Sequence, residues 1–263
     1  MARGKTTRSK AKAPRRDNSG LKALKDDLVA ANRILFNEGV LDGFGHVSFR
    51  DPNDPTRFHM SRALAPGRVT VADILEYGLD GEAIDAPGVG VYSERFIHSE
   101  AYRARPDVMA VVHSHSPTVI PFSVTQVPLL PIRASFFYPE VPVFEIREKG
   151  GWTNLQVTNS MLGKALADKL GGNSVALMRG HGNIVVAPDL RVVVSRAINT
   201  EMNARFLLQA RMLGGPITYL APEEAAEIEK MTRLTKPGSE HGQDRTWEMW
   251  KESALGKSKR RRR

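Results

Sequence analysis

The 263-residue chain contains no cysteine. Disulfides are therefore excluded, as are thiolate metal sites and cysteine nucleophiles, which leaves the chemistry to histidine, glutamate, tyrosine and arginine. The sequence also lacks an apolar run near the roughly 18 residues that a membrane-spanning helix needs. Its polar, basic start has no apolar centre of the kind found in secretory signals. We therefore expect a cytoplasmic protein that does not enter a membrane.

Acidic residues are missing from both ends of the chain, where basic residues are concentrated. Residues 1–16 hold seven lysines or arginines and residues 257–263 hold six, whereas the body between them holds 25 basic and 29 acidic residues. The net charge of +9 thus belongs to the two ends, because the body is mildly acidic. Such tails bind polyanions weakly and in a salt-dependent way. We expect no specific nucleic-acid partner.

Hydrophobic residues make up 41% of the chain, which is enough for a sizeable core. Segments with helical periodicity alternate with short apolar strands, and this pattern predicts an α/β layered domain. We place that domain at residues 19–236, after a basic disordered tail at residues 1–18. Residues 237–263 form a C-terminal extension with a basic tail.

Helices and strands are predicted from apolar periodicity together with caps and glycine stops. A first helix begins at Asn18 or Ser19 and stops before Gly39. Further helices are predicted at residues 71–76, 94–104, 156–170, 190–213 and 222–234. Residues 43–50 are predicted to be a glycine loop that enters a strand, and further strands are predicted at residues 58–60, 110–115, 175–178 and 183–186. The Asp80-Gly81 pair predicts a hairpin turn between residues 77–79 and 82–84.

His113 and His115 stand one residue apart at the end of an apolar run. Because side chains alternate along a strand, residues i and i+2 point to the same face. Both imidazoles can therefore bind one metal ion without backbone strain. A third histidine, His181, lies between Gly180 and Gly182, and these glycines allow a tight turn that directs the ring toward a site.

Glu94 supplies a carboxylate at the start of a predicted helix. Acidic residues are common at helix N-termini for reasons of the helix dipole, but a carboxylate near a metal-bound substrate can also move protons as a general acid or base. Three histidines, one open coordination position and one carboxylate indicate a catalytic metal site. Histidine nitrogens bind zinc, manganese and iron, so the ligands do not determine the identity of the metal.

Several motifs, in this order and spacing, resemble the class II aldolase/adducin family. They lie at residues 45–48, 92–96, 101–108, 112–115 and 180–182, and the resemblance extends over roughly residues 22–215. It implies a three-layer α/β/α domain with a central, mostly antiparallel sheet, usually assembled as a homotetramer with active sites at subunit interfaces. It also implies one divalent metal per subunit (Zn²⁺, Mn²⁺ or Fe²⁺) on His113, His115 and His181, with Glu94 as the catalytic carboxylate.

Other positions depart from the sugar-phosphate aldolases and epimerases of the family. His46 stands where those enzymes have asparagine, Tyr92-Ser93 replaces their pair of serines, and residues 60–67 lack their pattern of small hydroxyl and glycine residues that holds phosphate. Residues 61–67 are instead similar to a branch of metal-dependent decarboxylases of hydroxylated aromatic or pyridine dicarboxylates, which includes 3-hydroxy-2-methylpyridine-4,5-dicarboxylate decarboxylase.

The substrate implied by this branch is a small carboxylated aromatic molecule. The planar fork of an arginine suits a carboxylate, and aromatic side chains suit a ring. The expected substrate-binding residues are His46, Ser61, Arg62, Tyr92, Ser93 and Arg95. Arg133 is a further candidate for the carboxylate, and the aromatic residues 136–138 are further candidates for the wall of the site.

We therefore expect a metal-dependent carbon–carbon lyase, and a decarboxylase before an aldolase. In the implied reaction, loss of carbon dioxide leaves an enolate-like carbanion that the metal stabilises, and Glu94 protonates the ring carbon. Three alternatives stay open: a class II aldolase or epimerase acting on a sugar or hydroxy-carbonyl substrate, a non-catalytic adducin-like scaffold, and a nucleic-acid-binding role that rests on the basic tails alone. No organic cofactor is expected, because the chain has no glycine-rich phosphate-binding fingerprint.

Overall fold

The computed structural model of the protein describes residues 18–134, 141–225, 227–228 and 243–256. Both basic ends, at residues 1–16 and 257–263, and the aromatic candidates at residues 136–138 lie outside these ranges. So does part of the helix predicted at residues 222–234, of which residues 222–225 and 227–228 are helical.

A seven-stranded sheet runs through the centre of the described residues. Its strands are β1 His46–Arg50, β2 Arg57–Ser61, β3 Ile74–Gly78, β4 Ala110–Ser114, β5 Val143–Phe144, β6 Val175–Met178 and β7 Gly182–Ala187. Their order across the sheet is β3-β2-β1-β4-β7-β6-β5, and only β5 and β6 pair in parallel. The prediction of a mostly antiparallel sheet is confirmed.

Helices cover both faces of this sheet. They are α1 Asn18–Asn37, α2 Phe96–Ala104, α3 Ile120–Val124, α4 Arg147–Gly150, α5 Ser160–Leu170, α6 Leu190–Leu213 and α7 Gln243–Leu255. On β4, Ala110 and Val112 join the core under α1 and α6, whereas Val111 joins the core under α2 and α5. This alternation gives the three-layer α/β/α architecture that the family resemblance implied. None of these helices combines the length and the apolarity needed to cross a bilayer.

Helix α7 was not predicted, although it contributes to the core. Its Trp247 is 1% exposed, and its Lys251 lies 3.0 Å from Asp27 of α1. The segment is mostly polar, so its helical periodicity is weak in the sequence. Packing against α1 and α6 buries Trp247 and partly buries Trp250 and Ala254.

The helix predicted at residues 71–76 is a single 3₁₀ turn, Val71–Asp73, because β3 begins at Ile74. The expected capping contacts form, since Thr70 donates to Asp73 Oδ2 from its backbone N at 2.9 Å and from Oγ1 at 2.7 Å. Pairing with β2 takes residues 74–78 into the sheet instead. The Asp80-Gly81 turn also forms, with a φ of 84° at Gly81. Beyond it, only Tyr77 and Ala83 form a β-bridge, so the second hairpin strand does not develop.

Candidate active site

The four residues predicted for the metal centre come together at one end of the central strands. His113 lies on β4, His115 follows that strand, and His181 lies in the turn between β6 and β7. Glu94 lies in a 3₁₀ turn, Ser93–Arg95, which precedes α2 with a kink. One ligand atom from each of the four lies within 4.8 Å of the other three.

The helix expected to begin at residue 94 therefore begins later, at Phe96. Ser93 lies inside the preceding turn, and the residue at the cap position of α2 is Arg95. At the kink, Glu94 has a φ of −93° and a ψ of 18°, outside the helical region.

Each of the three histidine rings bonds through Nδ1 to an oxygen that can only accept. The contacts are His113 Nδ1 to Asn183 O at 3.2 Å, His115 Nδ1 to Asp42 Oδ2 at 2.9 Å, and His181 Nδ1 to Leu155 O at 2.8 Å. Nδ1 therefore carries the proton in each neutral ring, and Nε2 keeps the lone pair. All three rings are in the tautomer that binds a metal through Nε2.

The resulting cluster of lone pairs fits a divalent cation. His115 Nε2 and His181 Nε2 lie 3.0 Å apart, and His113 Nε2 is buried without a hydrogen-bond partner. Lone pairs that face one another repel, and an unpaired buried nitrogen has lost its hydration. A cation bound to the three nitrogens removes both costs, and an oxygen behind each ring is the usual support of a metal-binding histidine.

Glu94 faces the same cluster. Its Oε1 accepts a hydrogen bond from Val157 N at 2.9 Å, while Oε2 lies 3.5 Å from His113 Nε2 and 3.4 Å from His181 Nε2. Burial raises the pKa of Glu94, but the two histidines outweigh it and hold the pKa well below its usual value. Burial lowers the pKa of both His113 and His181, and only at His181 do the Glu94 contacts outweigh it and raise the pKa.

A pocket of about 260 Å³ opens beside the cluster. It is lined by Phe44, His46, Tyr92, Ser93, Glu94, His115, Gln156 and His181. Three of the predicted substrate-binding residues, His46, Tyr92 and Ser93, are thus at the pocket. The Tyr92 hydroxyl donates to Leu64 O, and its ring centroid lies 4.4 Å from that of His46. Tyr92 therefore offers the pocket an aromatic surface, since its proton is already bonded.

The other predicted substrate-binding residues do not line the pocket. Arg62 Nε lies 2.7 Å from Asp73 Oδ1, and Arg95 Nη2 lies 2.9 Å from Glu82 Oε1. Ser61 is 1% exposed. Arg133 donates to Asn199 Oδ1. Among the described residues, no arginine lines the pocket, so the expected guanidinium contact to a carboxylate is not formed by these side chains.

Four residues were not predicted from the sequence although they line the pocket or bond to its histidines: Asp42, Phe44, His98 and Gln156. His98 lies on α2 and contacts His46. Its spacing of four residues from Glu94 would place both on one face of the helix predicted at residues 94–104, which is the signal that could have found it. Asp42, Phe44 and Gln156 lie in loops, where no periodicity marks a residue that faces a site.

Comparison with known proteins supports the family resemblance of the sequence. The model of the Class II Aldolase and Adducin N-terminal domain matches residues 26–208. The chain is 35% identical over 246 residues to the decarboxylase tropJ of Talaromyces stipitatus, with 84% of this chain and 90% of that relative covered. It is 30% identical over 220 residues to a 3,4-dihydroxyphthalate decarboxylase of Arthrobacter keyseri, with 78% and 85% covered. Both relatives are named as decarboxylases, the branch that residues 61–67 predicted.

Solved structures share the fold over most of the chain. L-fuculose 1-phosphate aldolase from Glaciozyma antarctica superposes with a TM-score of 0.73 at 26% identity, covering 93% of this chain and 95% of the aldolase. An aldolase II superfamily protein from Pseudomonas syringae has the same TM-score of 0.73 at 23% identity, with 88% and 92% covered. With a family match that spans more than half of its residues, the chain belongs to the class II aldolase and adducin family.

Proposed function

We propose that this protein is a metal-dependent carboxy-lyase that removes carbon dioxide from a hydroxylated aromatic or heteroaromatic carboxylate. The observation that carries the proposal is the convergence of three histidine Nε2 atoms and the Glu94 carboxylate beside an aromatic-walled pocket. The substrate class is supported by relatives that are named decarboxylases, one of them for a dihydroxyphthalate.

His113, His115 and His181 would hold the ion, which we propose to be Zn²⁺, Mn²⁺ or Fe²⁺. When bound, the ion supplies Lewis-acid stabilisation of the negative charge that the substrate develops. The oxygens behind the three Nδ1 atoms keep the rings oriented toward it.

The pocket suits a flat, polar ring. Tyr92 and Phe44 provide aromatic surface, and His46 and Gln156 add polar atoms to the lining. Because no arginine of the described residues lines the pocket, we assign the hydrogen bonds to a substrate carboxylate or hydroxyl to His46 and Gln156. Burial lowers the pKa of His46 well below its usual value, so this ring acts as a neutral hydrogen-bonding group.

Glu94 is proposed to move one proton. The hydrogen bond from Val157 N to Oε1 leaves Oε2 facing the cluster. As a carboxylate, Glu94 takes the proton of the substrate hydroxyl. The bond between the ring carbon and the carboxylate then breaks, carbon dioxide leaves, and the electron pair stays on the ring carbon. Glu94 returns its proton to that carbon, and the phenolate product takes a proton from water.

A metal analysis followed by a carbon-dioxide release assay tests the proposal. The panel should hold hydroxylated phthalates and pyridine dicarboxylates, with L-fuculose 1-phosphate as the aldolase substrate. We expect about one metal per chain and carbon-dioxide release from at least one carboxylate, and loss of both in His113→Ala. A metal-free protein that retains full lyase activity would contradict the metal centre. Aldol cleavage without carbon-dioxide release would favour the aldolase alternative.

We also propose a homotetramer in which a neighbouring subunit covers the pocket mouth. Phe44 is 75% exposed although it lines the pocket, and Trp152 is 92% exposed. Large apolar side chains left in contact with water are typical of surfaces that a partner covers. Size-exclusion chromatography with light scattering measures the assembly, and a monomer at assay concentration would contradict the proposal.

A further inference from the structure

A run of buried hydrogen bonds leads from the pocket into the core behind His46. His46 Nδ1 lies 2.6 Å from His98 Nε2, and His98 Nδ1 lies 2.6 Å from Ser48 Oγ. Ser48 Oγ lies 2.7 Å from the hydroxyl of Tyr102. All four residues are at most 1% exposed, so bulk water does not compete for these contacts.

The Tyr102 end determines the direction of the run. Burial raises the pKa of Tyr102, so the phenol keeps its proton. The hydroxyl has one proton of its own to donate. Within the described part of the chain, Ser48 Oγ is the acceptor that it reaches. A buried hydroxyl that donates to nothing is costly, so this proton bonds to Ser48.

The remaining protons follow from this one. Ser48 Oγ accepts from Tyr102 and donates its own proton to His98 Nδ1. His98 then carries its ring proton on Nε2 and donates it to His46 Nδ1. Both rings are neutral, because each accepts a hydrogen bond at Nδ1, which an imidazolium cannot do. His46 therefore has its ring proton on Nε2.

We propose that Tyr102, Ser48 and His98 are positioning residues that hold His46 as the Nε2–H tautomer, with a hydrogen-bond donor directed at the pocket. His46 lines the pocket, and Nε2 is its ring nitrogen that does not contact His98. This inference rests on the proposed function in one respect, which is that the pocket binds the substrate.

The tautomer of His46 has two consequences. First, His46 cannot be a metal ligand through Nε2, although its ring centroid lies only 5.1 Å from that of His113. The metal-binding histidines have the opposite tautomer, with the proton on Nδ1. Second, a donor at this wall selects substrates that present an oxygen with free lone pairs, such as a carboxylate or a phenolate, and disfavours an amino group at the same position.

NMR of the histidine rings tests the tautomer directly. In protein labelled with ¹⁵N-histidine, the protonated and unprotonated ring nitrogens have separate shifts, and long-range ¹H–¹⁵N correlations assign each tautomer. The chain has seven histidines, and spectra of His46→Asn and His98→Gln identify the two signals. We expect the Nε2–H form for both His46 and His98, before and after loading with zinc. Finding His46 as Nδ1–H or as an imidazolium would overturn the inference.

Variants of Tyr102 and His98 test the effect on the substrate. In Tyr102→Phe the run of hydrogen bonds loses the proton that sets its direction, so we expect a mixture of His46 tautomers. The KM should rise about tenfold, with a smaller change in kcat and an unchanged zinc content. His98→Leu should have the same effect. His98→Gln should restore much of the wild-type KM, because its amide N–H can reach His46 Nδ1.

Tyr77→Phe is the matched control. Tyr77 and Tyr102 are both buried and pack on Phe58, with ring centroids at 5.1 Å and 5.4 Å, but Tyr77 lies outside the run. We expect wild-type His46 shifts and KM in Tyr77→Phe. An equal rise of KM in both variants would show a general packing effect and overturn the inference. If no carboxylate is turned over, the proposed function fails, whereas the tautomer measurement still decides the state of His46.

Discussion

Asp42 accepts a hydrogen bond from His115, with 2.9 Å between Asp42 Oδ2 and His115 Nδ1. The other oxygen of this carboxylate accepts from the backbone N of Phe44 at 2.8 Å and of Gly45 at 3.0 Å. One side chain thus shapes the loop that enters β1 and orients a ring of the proposed metal centre. Burial opposes ionisation of Asp42, but these hydrogen bonds outweigh it and lower its pKa.

Asp42→Asn should weaken metal binding while preserving the loop. The asparagine oxygen can still accept from Phe44 and Gly45, but its NH₂ group would face the Nδ1–H of His115, and two donors cannot bond. We expect metal affinity to fall about 10- to 100-fold. Competition with a chelating dye measures it. Asp54→Asn is the control, because Asp54 caps a similar turn at Thr56 without a histidine. Equal affinity in Asp42→Asn and wild type would show that the ring needs no such support.

His181→Ala should remove metal and activity together. Two histidines remain in this variant, and three converging nitrogens are the set that makes the cluster fit a divalent ion. Elemental analysis after dialysis gives the metal content per chain. His59→Asn is a useful comparison, since His59 is a buried histidine bonded to Asp51 and lies outside the cluster. It should lose stability and keep its metal; if it loses the metal as well, the effect of His181→Ala is not specific.

Glu94→Gln separates metal binding from proton transfer. The glutamine Oε1 can still accept from Val157 N, so the local backbone is supported, but the side chain no longer takes up or returns a proton. We expect wild-type metal content with turnover lower by about 10²–10⁴-fold. Glu145→Gln, which changes a carboxylate paired with Arg147 and Arg179, should keep wild-type turnover. A fully active Glu94→Gln protein would remove the acid–base assignment.

The histidine and glutamate cluster proposed to bind a metal could be predicted because the sequence signals for it are local. His113 and His115 share a strand face by their spacing alone, and the Gly180-His181-Gly182 motif marks a turn. The two glycines of this motif are required for different reasons, however. Gly180 has a φ of 65°, a backbone conformation that favours glycine, whereas Gly182 is required by the close approach of β4. The second reason depends on strand pairing and is not visible in the sequence.

The substrate-binding residues could not be predicted to the same extent, because they depend on contacts between residues that are distant in the sequence. Arg62 and Arg95 lie beside the motifs of the site, but folding gives them Asp73 and Glu82 as partners. Conversely, His98 looked like an ordinary helical residue. Its role follows from contacts with His46 and Ser48, which lie 52 and 50 positions earlier in the sequence and which the sheet brings to α2.

Acid should destabilise the protein through its buried histidines. Burial lowers the pKa of His98 from 6.5 to about 3. Above pH 6.5 the imidazole is neutral in both states and the free energy of unfolding does not depend on it. As the pH falls from 6.5 toward 3, the unfolded chain binds a proton that the folded chain does not, so stability falls by about 1.4 kcal/mol per pH unit.

Urea unfolding of the chelator-treated protein between pH 7 and pH 5 measures this dependence. His98→Gln should be less sensitive to acid than the wild type by about 1.4 kcal/mol per unit once the pH is below 6. His59, which is not bonded to His98, contributes equally to both proteins, whereas His46 loses its partner in the variant, so the difference reports the His46–His98 pair. Parallel curves for the two proteins would mean that His98 takes up its proton without unfolding.

Gly182→Ala should force β4 and β7 apart at the metal centre. A Cβ at Gly182 would lie 2.1 Å from Ser114 O and 3.2 Å from His115 Cδ2. The first contact is with backbone that pairs in the sheet, so no side-chain rotation relieves it. We expect a loss of about 1–3 kcal/mol in the free energy of unfolding and weaker metal binding, because His115 follows the displaced strand end. Gly172→Ala is the control, since a Cβ there meets nothing within 4 Å. If both variants unfold at the same urea concentration as the wild type and bind metal equally, a methyl group fits between β4 and β7 at this position. The close approach of the two strands at Ser114 would then have to be revised.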